Sequence, residues 1–127
     1  MTSKIKQTIQ EINDAFARND IEGFLDNCTE DISWTIEGEG SLQGKSEIRE
    51  FLEKHSSSAP PQFYDCRIIE EGNTAACVGK MRMKMPDSQE AVYAFCDIYE
   101  FSGGKVADLR SFCVKASTEN ESGSSEV

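Results

Sequence analysis

Apolar residues in the first part of the chain recur at helical spacing. Ile5, Ile9, Ile12 and Phe16 step by four, three and four positions, which keeps them on one face and predicts a helix over residues 5–16. Asn19-Asp20 breaks that pattern, and Asp20 is placed to cap a short second helix that turns Ile21, Phe24, Leu25 and Cys28 inward. Over residues 32–37 the period changes to two, the mark of a strand with one buried face, and Gly38-Glu39-Gly40 ends it. Helical spacing returns over residues 44–55 through Ile48, Phe51, Leu52 and His55. Ser56-Ser57-Ser58-Ala59-Pro60-Pro61 then reads as loop on composition.

Beyond Pro61 the pattern is that of a sheet. Strands are predicted over residues 63–69, 75–85, 91–101 and 106–114. Glu71-Gly72-Asn73, Pro86-Asp87 and Ser102-Gly103-Gly104-Lys105 separate them as turns, so hairpin order implies antiparallel pairing. Cys77, Gly79, Met81, Met83 and Met85 share one face of the second of these strands, and Lys80, Arg82 and Lys84 the other. The order helix, helix, strand, helix, then four strands is an α+β arrangement. The strand over 91–101 is apolar on both sides. Tyr93, Phe95, Asp97, Tyr99 and Phe101 share one face, and Val92, Ala94, Cys96 and Ile98 the other. A sheet with one wet face would alternate apolar with polar. The helices suffice to cover one face, and a second copy of the chain is the natural cover for the other, which predicts a homodimer through the sheet.

Composition narrows the functional classes. The 127 residues make one domain, and 38% hydrophobic with 28% charged residues is enough to form a packed core. The expected domain spans residues 1–115, and the acidic, Ser-rich segment 116–127 is expected to be a disordered tail. A formal net charge of -10 repels phosphate backbones and anionic bilayers, so neither nucleic acid nor a membrane is an expected partner. The N-terminal residues lack the apolar stretch of a signal peptide, and no apolar run approaches the roughly 18 residues of a membrane span. The five cysteines, Cys28, Cys66, Cys77, Cys96 and Cys113, are odd in number and widely spaced, a pattern that suits small buried hydrophobes in a reducing cytoplasm. With His55 the only histidine and no paired cysteines, no metal site is expected, nor any cofactor.

Three stretches carry a family resemblance. They are Ala15-Phe16-Ala17-Arg18-Asn19-Asp20-Ile21-Glu22-Gly23-Phe24, Gly44-Lys45-Ser46-Glu47-Ile48-Arg49-Glu50-Phe51 and Cys96-Asp97-Ile98-Tyr99-Glu100-Phe101-Ser102-Gly103-Gly104-Lys105-Val106. With them the chain resembles the ketosteroid isomerase and SnoaL-like polyketide cyclase group, one of the cone-shaped folds named after nuclear transport factor two. The resemblance implies a strongly bent antiparallel or mixed sheet covered by three N-terminal helices, a barrel-like cone with a deep pocket, and dimerisation. It does not fix an activity, since this fold hosts isomerases, cyclases, hydrolases and non-catalytic binding modules. Asp97 matches the family's acid donor on the strand before the Gly-Gly-Lys turn. The positions of the isomerase tyrosine and base fall on Ile12 and Ile36, which argues against steroid isomerisation by the family mechanism, and the cyclase acid position falls on Ser111, whose hydroxyl cannot replace a carboxylate as proton acceptor.

Asp97, an acid on an apolar strand face, is therefore the candidate catalytic residue, acting as acid or hydrogen-bond donor. Trp34, Ile36, Met81, Met83, Phe95 and Arg110 are the candidate pocket residues. Two functions stand side by side. One is a binder of a small, largely apolar molecule in the cone, with proton-transfer chemistry (isomerisation, cyclisation or dehydration) on an apolar carbonyl compound. The other is a non-catalytic dimeric association module.

Overall fold

Ser3 opens the first helix, its Oγ accepting the Lys6 N–H at 3.0 Å. In the computed structural model, which describes residues 3–55, 60–84 and 90–118, α1 runs over Lys4–Ala17 and buries Thr8, Ile9, Ile12 and Ala15 on one face. The Asp20 carboxylate accepts the Gly23 N–H at 3.0 Å and starts α2 (Ile21–Leu25). That N–H, and after it Arg18, holds the Asp20 carboxyl below its ordinary range. β1 (Cys28–Ile36) and β2 (Gly40–Gln43) form a hairpin, followed by α3 (Gly44–Lys54), β3 (Gln62–Glu71), β4 (Thr74–Lys84), β5 (Glu90–Ser102) and β6 (Lys105–Thr118). Arg49 of α3 grips both carboxylate oxygens of Glu22, at 2.6 and 3.0 Å, and so ties α3 to α2.

The six strands form one sheet in the order β2-β1-β6-β5-β4-β3. All neighbours are antiparallel except β1 and β6, which run parallel. Register shifts interrupt β1/β6, β3/β4 and β5/β6, and each such bulge bends its strand, so the sheet curves around the helices. The core lies in that curve: Ile9, Ile12, Phe24, Ile32, Cys77, Tyr99, Val106 and Leu109 are all at most 1% exposed.

The structure departs from the sequence pattern in four places. β2 is a strand that the pattern does not announce, because Gly40-Ser41-Leu42-Gln43 presents only one apolar residue and is exposed along most of its length. β1 begins at Cys28, earlier than the alternation suggests, because Glu30 and Asp31 are exposed there. β6 continues to Thr118, three residues into the expected tail; residues 119–127, the Pro86-Asp87 turn, Met85 and Ser56–Ala59 lie outside the described residues. Burial of the cysteines holds for Cys28 and Cys77, while Cys66 and Cys113 are exposed and Cys96 is half-buried. No helix among the described residues is long and apolar enough to cross a membrane.

Candidate active site

Strand alternation on β5 aims Phe95, Asp97 and Tyr99 at the concave side of the sheet. Phe95 and Tyr99 are 5% and 0% exposed, and Asp97 between them is half-buried. Its direct cross-strand neighbours are Cys77 on β4 and Ser111 on β6. Ser111 hydrogen-bonds the Asp97 carboxyl and accepts the indole N–H of Trp34 at 2.9 Å. Donation therefore runs from indole to hydroxyl to carboxylate. Burial pushes the Asp97 carboxyl up to about 6, and the Ser111 hydrogen bond opposes that rise. The group thus titrates close to neutrality, the range that general acid–base chemistry uses.

The environment of this carboxyl follows from the depth of the curve. On one side lies the dry core. On the other, exposure rises: Ile36, Phe63, Met81, Met83, Tyr93 and Ser111 are all half-buried. Ile36 is the parallel partner of Ser111, and Met81 pairs with both Phe63 and Tyr93. Phe63 meets Phe95 edge to face at 5.6 Å. Phe63 also borders a hollow of about 480 Å³ that Pro60, Pro61, Gln62, Arg82, Glu90 and Ala17 complete at the end of α1. Behind the site, an aromatic series closes the wall: Phe24 lies 5.6 Å from Trp34, and Trp34 lies 6.1 Å from Phe51.

Five of the six expected pocket residues share this concave side. Trp34 bonds Ser111, Ile36 adjoins it, Phe95 flanks Asp97, and Met81 and Met83 continue the face that Cys77 and Gly79 begin. Arg110 does not join them. It is exposed on the other face, opposite Ile98, with its Nε 3.8 Å from Glu37 Oε2, because one step along β6 from Ser111 reverses the side chain's direction. Glu37 is likewise exposed, and Ile12 is sealed in the core. His55 stays at the end of α3, its Nδ1 2.8 Å from the Phe51 carbonyl.

Three polar groups near Asp97 escaped the sequence reading as site components. Ser111 was legible only as a missing acid, although strand register sets it beside Asp97. Tyr99 reads as plain core, yet its buried hydroxyl has no hydrogen-bond partner. Asn13 of α1 donates to Cys77 Sγ at 3.6 Å, a contact between elements 64 positions apart. Among the described residues no group of three or more His, Cys, Asp or Glu side chains is placed to hold a metal ion.

Comparison with known proteins comes down to one family and one fold. The profile of the SnoaL-like domain family matches residues 9–109. No curated protein matches the sequence. Among solved structures, an NTF2-like protein of unknown function from Burkholderia pseudomallei is similar at 23% identity and a TM-score of 0.79, covering 87% of this chain and 90% of its own. A Xanthomonas campestris pv. campestris protein put forward as a polyketide cyclase is similar at 17% identity and a TM-score of 0.79, over 86% of this chain and 89% of that one. TerC, co-crystallised with polyporic acid, is similar at 21% identity and a TM-score of 0.76, over 86% and 90%. These likenesses establish the cone-shaped α+β fold.

Proposed function

This chain belongs to the SnoaL-like domain family, and on that premise we propose that it binds a small, largely apolar carbonyl compound in the cone and catalyses proton transfer on it through Asp97. The carrying observation is the half-buried Asp97 carboxyl, pushed up to about 6, at the boundary between the dry core and the open part of the curve. Protonated Asp97 donates to the ligand's carbonyl oxygen. Transfer of that proton leaves a carboxylate, which the Ser111 hydroxyl steadies and which takes a proton from the carbon next to the carbonyl. The sum is keto–enol interconversion, the elementary step shared by isomerisation, cyclisation and dehydration, with one carboxyl serving as acid and then base. The Ile36, Met81, Met83 and Phe95 side chains supply apolar contact, and Trp34 orients Ser111. The co-crystallised small molecule of TerC supports ligand binding in this fold.

The test uses a panel of apolar ketones and quinones in heavy water. The protein is expected to be stabilised by some member and to speed exchange of the hydrogen beside its carbonyl. Asp97→Asn should abolish that exchange and weaken binding about tenfold, the worth of one good hydrogen bond. Equal exchange by the variant, or no member that binds, overturns the proposal.

A second reading, association through the sheet, has its own support on the convex face. Val78, Cys96 and Phe112 form one cross-strand row, with Val114 and Ile69 beside it. Ile69, Val78, Phe112 and Val114 are 52%, 41%, 39% and 66% exposed. An apolar row of this kind fits a second copy of the chain, since a symmetric interface sets the same patch against itself. Light scattering is expected to give a dimer, and Val78→Glu with Phe112→Glu a folded monomer. A wild-type monomer overturns this reading. The free thiols support a reducing compartment such as the cytoplasm.

A further inference from the structure

Where β3 loses register against β4, between Tyr64 and Arg67, the chain carries an extra residue, and Asp65 there takes a φ of 55°. The bulge sets Cys66 over Gly79. A Cβ built on Gly79 would lie 2.9 Å from Cys66 Sγ and 3.0 Å from Cys66 Cα, so only glycine leaves room for the cysteine in this position. Gly79 and Cys77 are two apart on β4, and both are buried. The Cys66 thiol donates to the Tyr64 carbonyl at 3.6 Å, and from its seat over Gly79 it lies close enough to Cys77 for the two side chains to interact. Cys77 in turn accepts from Asn13 at 3.6 Å. The two sulfurs differ in access. Cys77 is 0% exposed, whereas Cys66 is exposed and borders a hollow of about 250 Å³ beside Asn13 and Asp14 of α1.

We propose that Cys66 and Cys77 form a redox pair that closes to an intramolecular disulfide by exchange with a small disulfide such as oxidised glutathione. The Cys66 thiolate attacks one sulfur of the small disulfide, breaks its S–S bond and releases one glutathione thiolate. The Cys77 thiolate then attacks Cys66 Sγ and expels the second. Two protein thiols are oxidised by two electrons, one small disulfide is reduced to two thiols, and the protons from Cys66 and Cys77 pass to the leaving thiolates. The asymmetry sets the order of events: the exposed sulfur meets the oxidant and the buried one resolves it. Burial raises both thiols, Cys77 to about 11, which slows the exchange at neutral pH. The proposal is independent of what the cone binds.

The experiment uses the full chain in a Cys113→Ser background, which removes the other exposed thiol. After incubation with oxidised glutathione, the intact mass is expected to fall by two hydrogens, and peptide mapping to join the peptides holding Cys66 and Cys77. Dithiothreitol should reverse both. Adding Cys77→Ala should stop the reaction at a lasting glutathione adduct on Cys66. Adding Cys66→Ser should leave Cys77 unmodified, and this exposed-site change keeps the test open if Cys77→Ala does not fold. A lasting Cys66 adduct in the background protein, a bond to Cys96 instead, or no reaction at all overturns the proposal.

Discussion

Between about pH 4 and pH 6 the protein is expected to lose on the order of 3 kcal/mol of stability that an Asp97→Asn variant keeps. The folded chain holds the Asp97 proton up to about 6, whereas an ordinary aspartate releases it at 3.8. In that window the folded state binds more protons than the unfolded one, so stability falls as pH rises. Below it both states are protonated and the site costs nothing. Above it the full cost of an ionised, partly desolvated carboxylate is in place, and asparagine carries no such charge. Asp20 and Glu22 act in the opposite sense. The Gly23 N–H and then Arg18 lower Asp20, and Arg49 lowers Glu22, so their contribution is present at neutral pH and lost in acid. They are common to both proteins and cancel in the difference. Denaturant unfolding of the two proteins at a series of pH values checks the expectation, and parallel curves would sink it. The same titration bears on chemistry: with a group near 6, roughly a tenth of the molecules carry a neutral Asp97 at pH 7. A proton donor and its conjugate base are thus both present under one condition.

What the sequence discloses and what it conceals divide along physical lines. Helical spacing in α1 and α3 and the apolar β5 are local patterns driven by burial, and the structure places these elements where the spacing does. β2 is concealed because its polar, exposed residues carry no burial signal; only pairing with β1 makes it a strand. The parallel pairing of β1 with β6 joins residues about 75 positions apart, such as Ile36 and Ser111, and no local period encodes it. The site shows the same division. Asp97 is visible because a carboxyl interrupts an apolar face. Ser111 and Arg110 are neighbours in sequence, and which of them faces Asp97 depends on the β5/β6 register, which the bulge near Glu100 shifts. The Cys66–Cys77 contact depends on a further bulge and is equally silent in composition.

Replacing Tyr99 by phenylalanine is expected to stabilise the protein by about 1–3 kcal/mol, against the usual direction for a change in the core. The ring belongs there: Tyr99 is 0% exposed and stacks on Phe101 at 6.2 Å. Truncating it to alanine should therefore cost about 3–5 kcal/mol through the cavity left behind. The hydroxyl is a different matter. It is buried with no hydrogen-bond partner, and folding strips it of water without replacing what water gave. Burial, reinforced by the Asp97 carboxylate and then Cys77, holds its ionisation well above the ordinary tyrosine range, so it stays a neutral donor. Phenylalanine keeps the ring and removes the orphaned dipole. Thermal and denaturant unfolding of the two variants beside wild type reads both signs at once. A Tyr99→Phe protein less stable than wild type would mean that the hydroxyl makes a favourable contact in solution. In that case the polar site extends inward from Asp97 to the base of the cone.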